Sequence, residues 1–569
     1  MGIDEQTSRH CESIATGKCA AAEGCGTAAT GACSHAEGEG TAAVGRAGHA
    51  EGLSTIAGPS ANSHAEGEST AAIGQGSHAE GSQTVSRESY THAEGVASAA
   101  IALGAHAEGS ASTAGPGNFA HAEGVGTLAS GAASHCEGNA NIASGEGAHA
   151  EGNLTLATGR FAHAEGQGAS GTLNTASGVA AHAEGSRTSA SGSSAHAEGI
   201  GTFASGSAAH AEGSVTRAST DNAHSEGSST AANGFASHAE GGSTTAGSSY
   251  SHAEGTSTTA SGYSSHAEGS GSTSSGSYAH AEGTSTTASG YSSHAEGTST
   301  LASGSYAHAQ GASSTASGAY AHAEGLGTST NEHPGSHVMG RYGAADADFS
   351  WYVANGTSPS VPGLAAKLIG STGDMFIDGV YGGPATDYAE LFETVDGKTI
   401  EPGYFVTLVG RMVKIAGPDD HVVGVTSGAP GFLGNAPALQ WQGRYLTDEW
   451  GRVQVTRVHV PAVTDSEGNV VVPEHEETQP RLNPAWDPNR RYVSRLERPE
   501  WVAVGLIGQL LVREDGTCSI DGYCRPNAQG VATGSTDGYR VMDRLGPNRI
   551  LILVQGAWRS ADSWPNPPA

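Results

Sequence analysis

The sequence predicts an all-β-dominated chain: a parallel β-roll or solenoid of 14-residue coils, followed by a mixed, mostly β C-terminal domain. Three observations predict it. A four-residue frame, His-x-Glu-Gly, recurs at near-constant spacing along the first part of the chain. Up to about residue 330 of 569 the composition is Gly, Ser, Ala and Thr, with almost no bulky apolar residue. All seven tryptophans lie at or beyond Trp351, where an ordinary globular composition begins.

Gly alone supplies 86 residues, so a conventional packed core is excluded from the first part. Such a composition normally signals disorder. A fixed period overrides that reading, because stacked repeats bury a continuous core of small residues. His-x-Glu/Gln-Gly occurs twenty-one times between His35 and His322, mostly at intervals of fourteen. Two intervals are fifteen (His49 to His64, His106 to His121), and each carries one of the two prolines in this part, Pro59 and Pro116. One is nineteen, His163 to His182. All extra residues fall between motifs, where turns tolerate them. In "SYSHAEGTSTTASGYSSHAEG", residues 249–269, "SHAEG" and "TTASG" read as the two short strands of a coil, each closed by a glycine able to take positive φ. At about 4.8 Å per coil, twenty intervals give a rod of roughly 95 Å. Degenerate copies at His10 ("HCES") and Ala21 ("AAEG") extend it toward the N-terminus.

Within "HAEG", His and Glu are two apart and share one strand face while Ala points the other way. One surface therefore carries columns of His and Glu, exemplified by His252, Glu254, His266, Glu268, His280, Glu282, His294 and Glu296. Unscreened carboxylates about 4.8 Å apart would repel by roughly 3–4 kcal/mol per neighbour at an effective dielectric of about 20. The histidines offset this as donors. Gln310 in "HAQG" serves in place of an acid, which favours a hydrogen-bonded structural ladder over metal binding. Each copy offers only two ligands, about 7 Å apart by strand geometry, so no metal and no cofactor is expected. Buried between identical chains, such a polar face would fix register.

The spacing and the "S-H-A-E-G" frame resemble the YadA-like head repeat of trimeric adhesins and phage fibres, over roughly residues 10–330. That resemblance implies a left-handed β-roll assembled as a trimer. His and Glu here replace the family's Val and Ile.

A net charge of −31 argues against nucleic acid and anionic membrane as partners. The opening "MGIDEQTSRHCES" lacks a basic start followed by an apolar run, so the ordinary secretion route is not expected. Seven cysteines, irregularly spaced at Cys11, Cys19, Cys25 and Cys33, are read as buried small thiols rather than a zinc site or disulfide framework.

Residues 331–384 read as a short β stem, and 385–569 as the C-terminal domain. Its first segment, "GGPATDYAELFE", places Asp387, Glu390 and Glu393 at intervals of three after the hydroxyl of Thr386. Taken alone, this is equally a helix start, with Thr386 as N-cap and acids in the first turn. It is also a pair of carboxyls beside a hydroxyl, able to cleave a peptide: one carboxyl protonates the leaving nitrogen, the other activates water or the Thr hydroxyl.

The ordered motifs "TDYAELFE", "DGKTIEPGYFVTL", "VVGVTSGAPGFLGNA", "WQGRYLTDEWGRV", "WVAVGLIGQLLVREDGTCSIDGYCRPNAQGVAT" and "YRVMDRLGPNRILILV" resemble the intramolecular-chaperone autoproteolytic domain of phage tail spikes and neck appendages. The resemblance implies a domain that trimerises the fibre ahead of it and then cuts itself off. It places the scissile bond at Thr386–Asp387, with Asp387 and Glu390 as catalytic carboxyls meeting across chains of the trimer. Family members often carry Ser where Thr386 stands, and the extra methyl crowds the nucleophile. Tyr388 and Phe392 are read as packing residues. Cys518 and Cys524 flank a hairpin, with packing and a strained disulfide both open.

The sequence reading is thus a homotrimeric phage or phage-like tail fibre or spike that cleaves itself once and turns over no external substrate. Its expected partners are other copies of itself, other tail or baseplate proteins and a host surface receptor, and its expected place is the virion tail. Three rivals differ in class. A surface adhesin would need a leader and an anchor. An ice-binding solenoid would present Thr256/Thr258, Thr284/Thr286 and Thr298/Thr300 as a flat face, and a metal-storing scaffold would use the His-Glu columns.

Overall fold

The computed structural model describes residues 12–169, 171–436, 443–464, 470–472, 474–489 and 491–555; His10 and Cys11 lie outside them. The chain divides into two compact units, 1–368 with 462–473, and 369–461 with 474–569. The described secondary structure is strand and turn, with a single 3₁₀ turn at Arg495–Glu497. No described helix is long and apolar enough to cross a membrane.

The first unit is a β-solenoid. Each coil gives one strand beginning at its histidine and a second strand of two or three residues, and like strands stack in parallel columns. His266, Ala267, Glu268 and Gly269 pair with His280, Ala281, Glu282 and Gly283. The long intervals keep this register: His49 pairs with His64, His106 with His121, and His163 with His182. The degenerate "AAEG" joins it as Ala21–Cys25 against His35–Glu39. The column also continues past residue 330, through His337–Arg341 and Trp351–Asn355. Both strands keep the alternation, with Val338 and Tyr352 buried at the alanine position. The solenoid therefore runs into the stretch that composition alone reads as stem.

The alternation decides what faces inward. Alanines such as Ala253, Ala267 and Ala281 are 0% exposed, while the flanking His and Glu are half-buried on the outer face. Thr258, Thr286 and Thr300 are buried too. The flat threonine face required for ice binding is therefore absent from these coils, because each Thr-x-Thr pair splits between inside and outside.

The two glycines of a coil do different jobs. Gly255 has φ of 100°, and a Cβ there would lie 2.2 Å from the carbonyl oxygen of Gly269 in the next coil. Gly262, in "TASG", is not needed for positive φ; its added Cβ would meet the Gly276 oxygen at 2.1 Å. The left-handed turn residue comes two positions later, at Ser264 (φ 50°) or Tyr278 (φ 58°) in successive coils. Close approach of backbones, not turn conformation, demands that second glycine.

Cys19 and Cys33 are exposed free thiols, against the expectation of burial, because they occupy turn positions with φ near 59° and 58°. Cys136 is buried at an alanine position.

The second unit is a curled, mainly antiparallel sheet. In chain order its strands are β1 (Asp387–Glu393), β2 (Phe405–Val409), β3 (Met412–Ile415), β4 (Val422–Thr426), β5 (Phe432–Gly434), then β6 (Val455–Val460) and β7 (His475–Pro480), which pair with each other as a separate two-stranded sheet, and β8 (Trp501–Arg513), β9 (Tyr523–Pro526), β10 (Ala532–Ser535), β11 (Tyr539–Gly546) and β12 (Arg549–Gln555). The 13-residue β8 is the organiser, pairing with β1, β4 and β12. Phe405, Val425, Leu510, Val512, Tyr539, Ile550 and Ile552 form its core. Cys518 and Cys524 are free and packed into that core, and burial pushes the Cys518 thiol up to about 12.

Candidate functional site

Residues 387–393 form strand β1, not the first turn of a helix. Local sequence permits both; the tertiary context decides, since β1 pairs along β8 from Asp387 opposite Gly508 to Glu393 opposite Trp501. A strand places residues three apart on opposite faces. Asp387 accordingly shares the buried face with Ala389 and Leu391, while Glu390 lies on the other face with Tyr388 and Phe392. The two carboxyls are therefore not brought together within one chain.

Asp387 is 8% exposed. Its Oδ1 accepts a 3.3 Å hydrogen bond from the Gly431 N–H, and its Oδ2 is buried without a hydrogen-bond partner. A buried carboxylate oxygen left unpaired is costly in a folded state, and such costs concentrate at sites where the group has work to do.

Gly508 packs against the peptide between Thr386 and Asp387, and Gly431 against the carbonyls that flank it. Gly508, at φ 117°, lies so close that an added Cβ would sit 2.2 Å from the Thr386 carbonyl oxygen and 2.8 Å from the Asp387 Cα. A Cβ on Gly431 would sit 2.6 Å from the Ala385 oxygen and 3.2 Å from the Asp387 oxygen. The next residue of β8, Gln509, donates its N–H to the Thr386 oxygen at 3.3 Å, and its own carbonyl accepts from the Thr386 hydroxyl at 3.1 Å. The register of β1 on β8 slips between Tyr388 and Ala389, a bulge of the kind that re-aims a chain beside a site. Thr386 and Asp387 line a cleft of about 1070 Å³, together with Glu401, Tyr404, Arg513 and Arg549.

Glu390 is held by Tyr388, whose phenol donates to Oε1 at 2.6 Å; that hydrogen bond raises the Tyr388 pKa. Tyr388 also stacks on Phe432, with centroids 5.3 Å apart. It is thus a positioning residue for the carboxylate as well as a packing residue.

Sequence reasoning passed over Gly508, Gln509 and Gly431. The available signal was a glycine inside the apolar run "VGLIGQLLV", which marks a bulge or a close backbone approach. Gly508→Ala is expected to strain the backbone by about 1–3 kcal/mol. It should displace the Thr386 carbonyl and slow any cleavage there at least tenfold, while leaving the β8–β12 core folded; gel time courses and thermal melts check both.

The ladder residues His252, Glu254, His266, Glu268, His280, Glu282, His294 and Glu296 lie where the pattern predicts, in continuous columns. Imidazoles stack, with His252–His266 and His266–His280 centroids 4.7 Å apart. Burial, and then the neighbouring imidazoles, hold His322 down at about 4, so it is neutral at pH 7. The His and Glu side-chain tips lie closer together than strand spacing predicts. The side chains lean together, bringing His Nε2 to 3.5 Å from Glu Oε2 at His182/Glu184 and 3.9 Å at His252/Glu254, where strand geometry alone suggests about 7 Å.

Residues 351–547 match the family model described as Peptidase_G2, IMC autoproteolytic cleavage domain, so this part of the chain carries a domain of that family. The pre-neck appendage protein of Bacillus phage B103 is 35% identical over 174 residues, 29% of this chain and 19% of that protein. The putative phage-related protein YobO of Bacillus subtilis (strain 168) is 36% identical over 158 residues, 27% of this chain and 18% of that protein. The chain thus spans about a fifth of the length of these relatives. A crystal structure of the bacteriophage phi29 gene product 12 C-terminal fragment is similar over 30% of this chain and 100% of the fragment, at 32% identity and a TM-score of 0.25.

Proposed function

We propose that the chain is a homotrimeric virion appendage, a tail fibre or spike of a phage or phage-like particle, whose C-terminal domain assembles three copies and then severs itself at Thr386–Asp387. The observation that carries this reading is the Thr386–Asp387 peptide packed directly against Gly508 beside the unpartnered Asp387 Oδ2, inside the segment matching the autoproteolytic family. In the reaction, water adds its oxygen to the Thr386 carbonyl carbon and the C–N bond breaks. The Asp387 nitrogen takes up a proton and becomes a new N-terminus. Asp387 supplies that proton. Glu390 of a second copy takes one from the attacking water, since Glu390 of the same chain sits on the opposite strand face. The Gln509 N–H already contacts the carbonyl oxygen on which charge develops.

Assembly has its own support. In the second unit, Met375, Phe376, Ile377, Val380 and Tyr381 are 41–93% exposed in the single chain, an apolar run that needs a covering surface. A Gly-rich solenoid with near-identical coils is open to register slips and slow non-local pairing. A domain with a real hydrophobic core can associate first and align three shafts, and its removal then makes the product kinetically hard to undo. The shaft would attach to other virion proteins and meet a host surface.

Expressing residues 1–386 alone beside the full chain tests the chaperone role. Light scattering should give a trimeric shaft from the full chain and misassembled material from the truncated one. A truncated shaft that trimerises equally well overturns the role, and a single-chain mass from the full chain overturns the trimer.

A further inference from the structure

The His-Glu face carries a geometry that a structural ladder does not use. At Glu66, Glu165, Glu254, Glu282 and Glu324 the carboxylate lies between two histidines, its Oε2 toward the imidazole of its own coil and its Oε1 toward that of the next. Seen from the histidine, His182 Nε2 has Glu184 Oε2 at 3.5 Å and Glu165 Oε1 at 3.7 Å. His78 Nε2 has Glu80 Oε2 at 3.7 Å and Glu66 Oε1 at 3.9 Å. His266 Nε2 has Glu268 Oε2 at 3.8 Å and Glu254 Oε1 at 3.9 Å. These separations exceed the 2.7–3.2 Å range of N–H···O hydrogen bonds. The Nε2 atoms of all three histidines are buried and lack a hydrogen-bond partner. Two ligands at the 2.0–2.2 Å bond lengths of zinc are about 3.4 Å apart across a tetrahedron edge. The observed gaps come within a few tenths of an ångström of that edge.

We propose that this face is a linear array of transition-metal sites, taking zinc or a similar divalent ion through one imidazole Nε2 and one oxygen from each of two successive glutamates, with water as the fourth ligand. Parallel stacking of the rings suits this arrangement, because every second imidazole can hold an ion whose two carboxylates come from its own coil and the one before. The ligand atoms of the successive residues His182, Glu184 and His196 also lie within 4.8 Å of one another, as do those of His106, Glu108 and His121. Access is open along at least the first coils, where Glu37, Glu51, Glu66 and Glu80 wall a groove of about 840 Å³ floored by glycine. With neutral imidazoles, one dication balances two carboxylates. Twenty His-x-Glu-Gly copies then hold about ten ions per chain. At Gln310 the array is interrupted, because the amide donates to Glu324 Oε2 at 3.1 Å instead of offering a second anionic oxygen.

The test uses the full chain without a histidine tag, stripped with EDTA and titrated with Zn²⁺ or Co²⁺. Expected are about ten ions per chain by elemental analysis and the intense visible absorption of tetrahedral Co²⁺. The quadruple variant Glu254→Gln, Glu268→Gln, Glu282→Gln, Glu296→Gln repeats the substitution that Gln310 already makes in the native column. It should lose about two ions. The control Glu39→Gln, Glu68→Gln, Glu88→Gln, Glu332→Gln, at exposed positions outside the motif, should lose none. Wild type gives a second reading that needs no variant: Zn²⁺ raises the thermal midpoint and EDTA reverses it. Less than one ion per chain overturns the proposal. So does equal loss from the two quadruple variants, which would make the binding that of general surface acids.

Discussion

Asp387→Ala and Glu390→Ala are each expected to leave one full-length chain of 56.7 kDa where wild type yields two fragments. Removing a positioned general acid or base costs about 10²–10⁴-fold in rate, enough to abolish cleavage over the hours of an expression experiment. The two variants should fail for different reasons. Asp387 is attached to the leaving nitrogen, so its loss disables the chain that carries it. Glu390 faces away from its own Asp387 across β1, so its loss disables a neighbour. Co-expression separates the cases. In mixed trimers, Glu390→Ala chains retain Thr386–Asp387 and Asp387, and they should be cut by Glu390 from Asp387→Ala partners. The Asp387→Ala chains should stay whole. No cleavage in the mixture would mean that the carboxyls act within one chain after a rearrangement of β1.

The second large effect is in the shaft. Gly255→Ala puts a methyl 2.2 Å from the Gly269 carbonyl oxygen at a φ of 100°, so both the conformation and the space are wrong. Backbone strain of about 1–3 kcal/mol is the minimum, and the clash forces neighbouring coils apart. Because each coil contacts only its neighbours, the damage should stay local. Amide hydrogen exchange should show lost protection around residues 252–282 with distant coils unchanged. Gly242→Ala is the matched control: nothing lies within 4 Å of its added Cβ, and it should change stability by less than about 0.5 kcal/mol.

The solenoid was legible because its code is local. Alternation within "HAEG" sorts Ala inward and His/Glu outward, and the fourteen-residue period supplies the stacking. What the code does not contain is side-chain lean: Cα spacing puts His and Glu far enough apart to dismiss a shared ligand, whereas the long glutamate reaches both imidazoles. The same limit hid the role of the "TASG" glycine, since a close approach from the next coil leaves no mark on its own segment. Composition also ended the shaft at 330, although Val338 and Tyr352 continue the inward column in place of alanine.

At the candidate site, spacing and the ordered motifs around it single out Thr386, Asp387 and Glu390. Neither fixes the arrangement of these residues. A hydroxyl followed by acids is a helix start and a strand start alike, and the partner that settles it, β8, lies more than a hundred residues away. That choice matters chemically, because residues three apart share a side of a helix and oppose each other on a strand. The helical reading would have joined the carboxyls within one chain; the strand sets them on opposite faces. Gly508 and Gln509 escaped notice for the same reason, being defined only by what they face.

Intact mass and N-terminal sequencing of freshly expressed wild type test the central claim most directly. Two fragments whose masses sum to the 56.7 kDa chain plus one water, the smaller beginning at Asp387, are the predicted result. A single uncut chain, or a break at any bond other than Thr386–Asp387, would contradict it.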